Sequence, residues 1–217
     1  MASIPTPSHF LASTSAAFRQ GEPAWDLALL FPMQGTWSQE EYLDLTDDIN
    51  LLIEYTFGRI EVLPMPTIEH QLIVRFLMDV LRAFVEPRKL GIVLFAPTRV
   101  YVEPDKYREP DIVFNFTEHH AKSGKRYYQS ADLVMEVLSD DAEGRKRDLE
   151  KKSLDYAQGG IPEYWIVDPQ EKQITVLALE GQTYAAHGVF RDGQEATSKL
   201  LPGFTVNVSA VFQAAAV

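Results

Sequence analysis

Two acidic residues in apolar, strand-like segments and a lysine in the next segment could do chemistry together. Asp111 opens the apolar run at residues 112–116, and Glu136 lies inside the apolar run at residues 133–138. Lys152 follows in a charged, helix-like segment. Carboxylate oxygens suit hard divalent cations, and an ammonium group beside a phosphate offsets the charge that develops during hydrolysis. These residue types together indicate metal-assisted hydrolysis of a phosphodiester, as in a nuclease.

Both carboxylates also have structural interpretations. Asp111 follows Pro110, and an aspartate that merely opens a strand is the commoner case when the residue is taken alone. Glu136 is harder to explain in this way, because a charge buried in an apolar strand is costly unless it is paired or bound to a metal. A solvent-facing edge position and a structural ion pair remain the alternatives for Glu136.

Lys152 lies one helical turn after Asp148 and one turn before Tyr156, so the three side chains share a helix face. An Asp–Lys pair with this spacing on a solvated helix is common and is weak evidence of function. The significance of Lys152 comes from its position after Glu136 in the chain. The basic residues 145–147 nearby could contact phosphate.

Other titratable residues carry weaker signals. Glu54 lies in a strand-like run and His70 near the start of a helical pattern, and for each a structural role is as well supported as a functional one. His119 and His120 are expected in an exposed loop. The sequence has no glycine-rich phosphate loop before a helix, no HExxH helix and no GxSxG elbow.

Composition describes an ordinary globular chain, with 46% hydrophobic and 24% charged residues, and its 217 residues fit one domain or one domain plus tails. Cysteine is absent, so any metal must be held by oxygen or imidazole ligands. We find neither a signal peptide nor a membrane span, and expect a cytoplasmic protein. The net charge of −11 argues against tight non-specific binding of nucleic acid. Residues 121–152, however, carry a balance of +1 on a remainder of −12, which permits a small nucleic-acid site.

The order of elements predicts a mixed α/β fold with a central sheet. Residues 1–35 are expected to form an extension that is flexible or docked on the domain formed by residues 36–217. Ser38 and Glu41 have capping-box spacing, which predicts a helix to about Leu45. Further helices are predicted at 68–85 and 142–158, with a loop at 117–130 and a short helix near the end. Strands are predicted at 51–57, 60–63, 91–95, 99–103, 112–116, 133–138, 163–167 and 173–179, with edge strands after Gly181.

Taken together, these segments resemble the Uma-type putative restriction endonucleases, a bacterial group within the PD-(D/E)xK nuclease superfamily. The resemblance covers roughly residues 37–179. It rests on Trp37-Ser38-Gln39-Glu40-Glu41-Tyr42-Leu43, Glu54 with Gly58, Met65-Pro66 leading to His70, Pro110-Asp111, Glu136-Val137-Leu138-Ser139, Asp148 with Lys152 and Tyr156, and Gly160-Ile161-Pro162-Glu163-Tyr164-Trp165-Ile166-Val167-Asp168-Pro169.

The resemblance implies a restriction-endonuclease-like core, in which helices flank a central mixed sheet and antiparallel hairpins are added. It also implies Mg²⁺, or Mn²⁺ in its place, held by Asp111, Glu136 and the carbonyl of Val137. The superfamily pattern has a lysine two residues after the glutamate. Leu138 occupies that position here, so the lysine's role would move to Lys152.

The remaining roles depend on that implied site. Lys152 would orient the attacking water or neutralise the phosphate, and Glu54 would complete the metal shell or bind a second ion. His70, Asp148 and Tyr156 would support the carboxylates or contact phosphate. The expected substrate is DNA, and a homodimer is expected because two sites would cut two strands. The alternatives are an inactive nuclease fold used for binding or assembly, and an RNA or nucleotide phosphodiesterase.

Overall fold

The computed structural model of the chain describes residues 32–49, 51–139 and 142–216, and only the backbone of residues 142 and 143. The predicted extension therefore lies outside the described residues up to position 31. The assignment of residues 36–217 to one restriction-endonuclease-like domain stays a prediction.

The described helices and strands alternate along the chain. The helices are α1 (Gln39–Asp48), α2 (Ile68–Val85), α3 (Thr117–His120), α4 (Ala142–Lys146), α5 (Lys152–Gln158) and α6 (Val208–Gln213), and a π-helical turn at Arg147–Lys151 joins α4 to α5. The strands are β1 (Ile53–Thr56), β2 (Arg59–Val62), β3 (Gly91–Phe95), β4 (Val100–Glu103), β5 (Lys106–Arg108), β6 (Ile112–Phe116), β7 (Leu133–Val137), β8 (Glu163–Asp168), β9 (Gln173–Glu180), β10 (Thr183–Arg191), β11 (Glu195–Thr197) and β12 (Thr205–Asn207). This order confirms the mixed α/β class.

The central sheet has six strands in the order β10-β9-β8-β7-β6-β3. β7 and β8 are parallel, and their crossover contains α4 and α5, whereas the other neighbours are antiparallel. β7 is an interior strand. Its residues Leu133 and Met135 pack in the core that includes α2, while Val134 and Leu138 pack with Tyr156 of α5. Because side chains alternate along a strand, Glu136 projects to the α5 face.

A second sheet, β2-β1-β5-β4, is antiparallel throughout. One face packs around three buried tyrosines, of which Tyr42 and Tyr55 stack with ring centroids 5.1 Å apart and Tyr107 is tilted against both. The alternation that buries Ile53 and Tyr55 on that face turns Glu54 to the other side, toward α5. The sheet thus supplies a buried carboxylate to the face on which Glu136 lies.

Helix α2 has the bounds that its apolar period predicts, and Thr67 caps it by accepting a hydrogen bond from the backbone N–H of His70. Its buried residues are Ile73, Val74, Leu77, Leu81 and Val85. Within the residues that the structure describes, no helix is long and apolar enough to cross a membrane.

Three local predictions were wrong or incomplete. The loop predicted at 117–130 begins with helix α3, on which His119 is half-exposed and bonded to Asp132. Strand β5 was missed, because Lys106 and Arg108 are charged residues in a segment of only three residues. The helix predicted at 142–158 contains the π-helical turn, a feature that apolar periodicity does not encode.

The capping box at the start of α1 is confirmed. The backbone N–H of Glu41 donates to Oγ of Ser38 at 3.2 Å, and the backbone N–H of Ser38 donates to Oε2 of Glu41 at 2.6 Å. We expect Ser38→Ala to lower the free energy of unfolding by about 1 kcal/mol, because an amide of the first turn loses its acceptor. Urea denaturation measures this change. Ser123→Ala, on a partly buried serine outside α1 whose Oγ donates only a long bond of 3.4 Å to the carbonyl of His119, should change the midpoint much less. Equal effects of both variants would contradict the capping role.

Candidate active site

The pairing of β6 with β7 brings the two predicted carboxylates together. Ile112 lies opposite Met135 in this antiparallel ladder, so the next position along the register sets Asp111 opposite Glu136. Side chains that are directly opposite each other have Cβ atoms about 4.5–5.5 Å apart. Oδ2 of Asp111 accepts a hydrogen bond of 2.8 Å from the backbone N–H of Val137, which fixes this carboxylate against the end of β7.

Glu136 is buried and contacts two side chains of α5. Nζ of Lys152 donates to its Oε1 at 2.9 Å, and the hydroxyl of Tyr156 donates to the same oxygen at 2.5 Å. The structure therefore brings Asp111, Glu136 and Lys152 into one site, as the sequence predicted. The solvent-facing edge alternative for Glu136 is excluded, because β7 is interior and only 2% of this residue is exposed.

Asp148 also contacts the lysine, with its Oδ1 3.3 Å from Nζ of Lys152. The π-helical turn directs the side chains of both Arg147 and Asp148 toward the site. Asp148 is buried, and Nε of Arg147 lies 3.5 Å from its Oδ1. Arg147 also reaches Glu61 of β2 at 3.3 Å. Wider helical turns of this kind are frequent at functional sites, because they change which side chains face inward.

The basic residues 145–147 do not act together on this surface. Arg145 makes a two-point contact with Asp168, at 3.0 and 2.7 Å, at the end of β8. Lys146 is exposed, and only Arg147 lines the site cavity. The prediction that the whole cluster is available for phosphate is therefore wrong for Arg145, whose guanidinium group already binds a carboxylate.

His70 approaches the same carboxylate from the first turn of α2, with Nε2 3.2 Å from Oδ2 of Asp111. Burial alone would lower the pKa of His70. The hydrogen bond and charge of Asp111, together with Glu136 and the backbone of Val137, more than offset this and raise it above the ordinary value. His70 thus lies against the predicted ligands Asp111 and Val137.

Glu54 contacts the lysine from the opposite sheet. Its Oε1 lies 3.5 Å from Nζ of Lys152, and its Oε2 lies 3.7 Å from Nε of Arg108. Arg108 and Lys106 of β5 both bind Asp155 of α5, at 2.6 and 2.8 Å. Lys152 is therefore one member of a chain of buried charges that joins the second sheet to α5.

Sequence reasoning missed Arg108, Glu109 and Asp155, and it named Arg147 only as one of three basic residues that could contact phosphate. Glu109 is buried and lines the site cavity, and its Oε2 accepts a hydrogen bond from the backbone N–H of Ile53. Burial and the nearby charge of Glu54 raise the pKa of Glu109 to about 7. Asp155 could have been found, since it lies three residues after Lys152 on the same helix face. The positions of Arg108 and Glu109 depend on β5, which was not predicted, and the direction of Arg147 depends on the π-helical turn.

A cavity of about 590 Å³ opens over this cluster. The predicted site residues that line it are His70, Asp111, Glu136, Val137, Asp148 and Lys152. Neither Glu54 nor Tyr156 is among the described lining residues, so both lie behind the wall, in contact with Lys152 or Glu136. Glu54 is thus placed to hold the lysine.

The charge states in the site depend on burial and neighbouring charges. Burial, together with the charges of Asp111 and Asp148, raises the pKa of Glu136 to about 8 although Lys152 opposes this shift. Burial would lower the pKa of Lys152, but Glu136, Glu54 and Asp148 raise it well above its ordinary value. These charges therefore favour the protonated, cationic form of Lys152.

The oxygen donors of Asp111, Glu136 and Val137 are of the type that hard divalent cations prefer. Among the described residues, no three His, Asp or Glu side chains form a metal-binding group, so the predicted set needs the Val137 carbonyl beside its two carboxylates. The contacts described above use Oδ2 of Asp111 and Oε1 of Glu136. The second oxygen of each carboxylate takes part in none of them. A cation there would also lower the pKa of Glu136, since positive charge favours the ionised form.

Comparison with known proteins agrees with this fold. The family model of Uma2, described as a putative restriction endonuclease, matches residues 39–209. The crystal structure of a putative nuclease belonging to DUF820, from Anabaena variabilis, is similar with a TM-score of 0.64 and 20% sequence identity, covering 80% of this chain and 98% of that one. No curated protein matches. Because the family model spans most of the chain, the resemblance is confirmed, and the chain belongs to the Uma2 family of putative restriction endonucleases.

Proposed function

We propose that the chain is a divalent-metal-dependent endonuclease that hydrolyses phosphodiester bonds of DNA. The carrying observation is the ion pair between Nζ of Lys152 and Oε1 of Glu136, 2.9 Å apart, next to Asp111 in a cavity that is open to a substrate. Two carboxylates and an ammonium group in one cavity are the parts that such a hydrolysis needs.

The chain's own residues divide the work. Asp111, Glu136 and the carbonyl of Val137 would hold Mg²⁺ or Mn²⁺. When bound, such a cation polarises the phosphate and lowers the pKa of water. Lys152, kept protonated by its acidic neighbours, lies where it can stabilise negative charge on the phosphate. The lysine's role would thus be filled from α5 instead of the strand position occupied by Leu138.

Three residues fix the geometry of this site. His70 holds Asp111, Tyr156 holds Glu136, and Glu54 holds Lys152 from the second sheet. Because these contacts come from α2, α5 and β1, the reactive groups are positioned by rigid elements. Such preorganisation lets hydrogen-bond donors and charges act on the transition state without reorganising during the reaction.

The test is cleavage of supercoiled plasmid with Mg²⁺ or Mn²⁺. We expect wild type to nick or linearise the plasmid, and Asp111→Ala, Glu136→Ala and Lys152→Ala each to lower the rate at least about 100-fold. Lys151→Ala changes an exposed lysine one position away and should cleave as wild type does. Activity that survives all three substitutions would refute the proposed site.

Substrate class and assembly are tested in the same series. Competition of plasmid cleavage by RNA and by nucleotides separates a DNA enzyme from an RNA or nucleotide phosphodiesterase. A wild type that binds no Mg²⁺ in calorimetry would support the inactive-fold alternative. The proposed dimer, with one site for each strand, predicts linear product in a single binding event, whereas a monomer would accumulate nicked circles first.

A further inference from the structure

The site cavity is lined by two kinds of surface. The buried residues Glu136 and Lys152 lie deep in it, whereas Leu51, Val62 and Met65 line it with exposed apolar side chains. We call these three apolar residues the apolar mouth. All three are more than half exposed, and Met65 is 86% exposed. Single exposed apolar residues need no explanation, but apolar surface gathered at a polar cavity is typical of a site that binds a ligand with an apolar face.

The apolar mouth is held by a stiff segment of the chain. The backbone N–H of Leu63 donates to the carbonyl of Leu52 at 2.9 Å, which ties the residues after β2 to those before β1. Proline on both sides of Met65, at positions 64 and 66, fixes two φ angles of this segment, and helix α2 begins three residues after Met65. The exposure of Met65 is therefore built into the backbone beside the cavity.

The charges that line the cavity disfavour a DNA duplex as its occupant. Among the described lining residues, Arg147 and Lys152 are the only arginine and lysine, and the acidic ones are Glu69, Glu109, Asp111, Glu136 and Asp148. Duplex DNA carries one negative charge per about 1.7 Å of its axis, and proteins that bind it neutralise several phosphates with lysine and arginine. A volume of about 590 Å³ is also that of a site for one small ligand. The cavity therefore fits a single nucleotide better than a length of duplex.

Arg147 offers the hydrogen-bond donors that a phosphate needs. Its Nε is buried and has no hydrogen-bond partner among the residues that the structure describes, although Oδ1 of Asp148 lies 3.5 Å away. Its Nη1 contacts Glu61 at 3.3 Å, and the side chain of Glu61 is 61% exposed. An ion pair with an exposed carboxylate contributes little to stability, so a phosphate can replace Glu61 on the guanidinium group. Lys152, in contrast, is shared by three buried carboxylates.

We propose that the cavity binds one unpaired nucleotide of the DNA strand that is cut, with a phosphate on Arg147 and the base against the apolar mouth. This inference rests on the proposed function, because the phosphodiester bond must reach Asp111 and Glu136. The faces of paired bases are stacked inside a duplex, whereas an unpaired base can pack against apolar side chains. The substrate class is therefore single-stranded DNA, or DNA that is unpaired at the point of cleavage.

The test is fluorescence anisotropy of labelled oligonucleotides with the full chain, in which Ca²⁺ replaces Mg²⁺ so that binding is read separately from cleavage. The three probes are a single strand, the same strand in a duplex, and a strand of equal length in which every residue is abasic. We expect the intact single strand to bind at least about fivefold tighter than the other two, because packing of a base contributes a factor of this order. Equal affinity for intact and abasic strands, tighter binding of the duplex, or no binding of any probe would overturn the proposal.

The base contact is tested with the double variant Val62→Ser/Met65→Ser, which removes apolar area without adding charge. Both side chains are exposed, so the fold should persist. We expect the affinity for the intact strand to fall at least about threefold and the affinity for the abasic strand to stay unchanged. Leu154→Ser is the matched control, because Leu154 is an exposed leucine of α5 that is not among the lining residues. An equal loss on both strands would contradict a contact with the base.

The phosphate contact predicts opposite effects of two substitutions. Arg147→Gln should weaken the binding of intact and abasic strands by the same factor, at least about fivefold, because it removes a charged donor. Glu61→Gln should strengthen the binding of both strands, because it releases Arg147 from its carboxylate partner. Lys89→Gln is the control, since this exposed lysine lies beyond the opposite end of α2, a helix about 27 Å long. Wild-type affinity in Arg147→Gln would overturn the assignment of Arg147.

Failure of this inference is distinguishable from failure of the proposed function. A protein that cleaves DNA but binds intact and abasic strands equally would refute only the unpaired nucleotide. A protein that shows the expected order of affinities but never cleaves would refute only the nuclease activity.

Discussion

Glu136→Gln is expected to inactivate the protein and at the same time to stabilise it at neutral and alkaline pH. The amide keeps the shape of the side chain and can still accept hydrogen bonds from Lys152 and Tyr156. It carries no charge for a metal, however. We therefore expect cleavage to fall at least about 1000-fold, which equals roughly 4 kcal/mol of transition-state stabilisation.

The stability change depends on the pKa of Glu136. Its value in the fold, about 8, lies above the ordinary value of 4.5, so the folded state binds this proton more tightly than the unfolded state does. The contribution of this tighter proton binding to the free energy of unfolding is fully present below about pH 4.5 and is lost as pH rises to about 8. Glutamine does not titrate and avoids this loss. The variant should thus exceed wild type by a few kcal/mol, as a rough figure, at pH 8 and by little at pH 5.

Urea denaturation between pH 5 and pH 9 in the presence of a chelator measures this prediction. Glu150→Gln is the matched control, because Glu150 is exposed in the same π-helical turn that carries Asp148. Its stability should track that of wild type at every pH. A Glu136→Gln variant that is less stable than wild type by the same amount at all pH values would show that the carboxylate is an ordinary ion-pair member with a low pKa.

Lys152→Met should have the largest destabilising effect among the proposed single substitutions. Methionine has a similar length but leaves Glu136, Glu54 and Asp148 without the cation that they share. Removing one member of a buried ion pair typically costs about 3–5 kcal/mol, because a charge stays buried without compensation. Cleavage should also fall, since Lys152 supplies the ammonium group at Glu136.

The pH dependence distinguishes charge from packing as the cause. Without Lys152, the pKa values of Glu136 and Asp148 rise further, so both can take up protons at pH 5. The loss of stability caused by Lys152→Met is therefore smaller at pH 5 and largest at pH 8. Thermal unfolding at both pH values tests this, with Lys151→Met as the exposed control. The double variant Lys152→Met/Glu136→Gln should recover part of the loss, and an equal loss at pH 5 and pH 8 would indicate packing instead.

Much of the site could be predicted, because its main signals are local. A glutamate inside a continuous apolar strand must be paired or must bind a cation, and the structure pairs Glu136 with Lys152. Helical spacing correctly set Asp148, Lys152 and Tyr156 on one face. The apolar period of α2 and the cap at Thr67 gave both the helix and the position of His70 near the site.

The contacts between sheets could not be predicted. Arg108 and Glu54 meet Asp155 and Lys152 across sequence separations of 47 residues or more, and nothing local encodes such a pairing. β5 is too short and too charged for a strand pattern, because its lysine and arginine are buried by ion pairs and not by apolar packing. The sequence did not distinguish Arg147 from its basic neighbours, because a regular helix would not turn it and Asp148 inward together.

The wider turn before α5 sets the direction of the side chains that follow it. It holds one residue more than a regular helical turn would, and every side chain after it depends on that surplus for its direction. Losing the surplus residue would leave an intact, regular helix, yet would rotate the downstream side chains by about 100°. The amine would then face a different neighbour although no contact in the sheets had changed. Deletion of one residue from this turn is therefore expected to separate the amine of Lys152 from Glu136, while both residue types remain in the sequence.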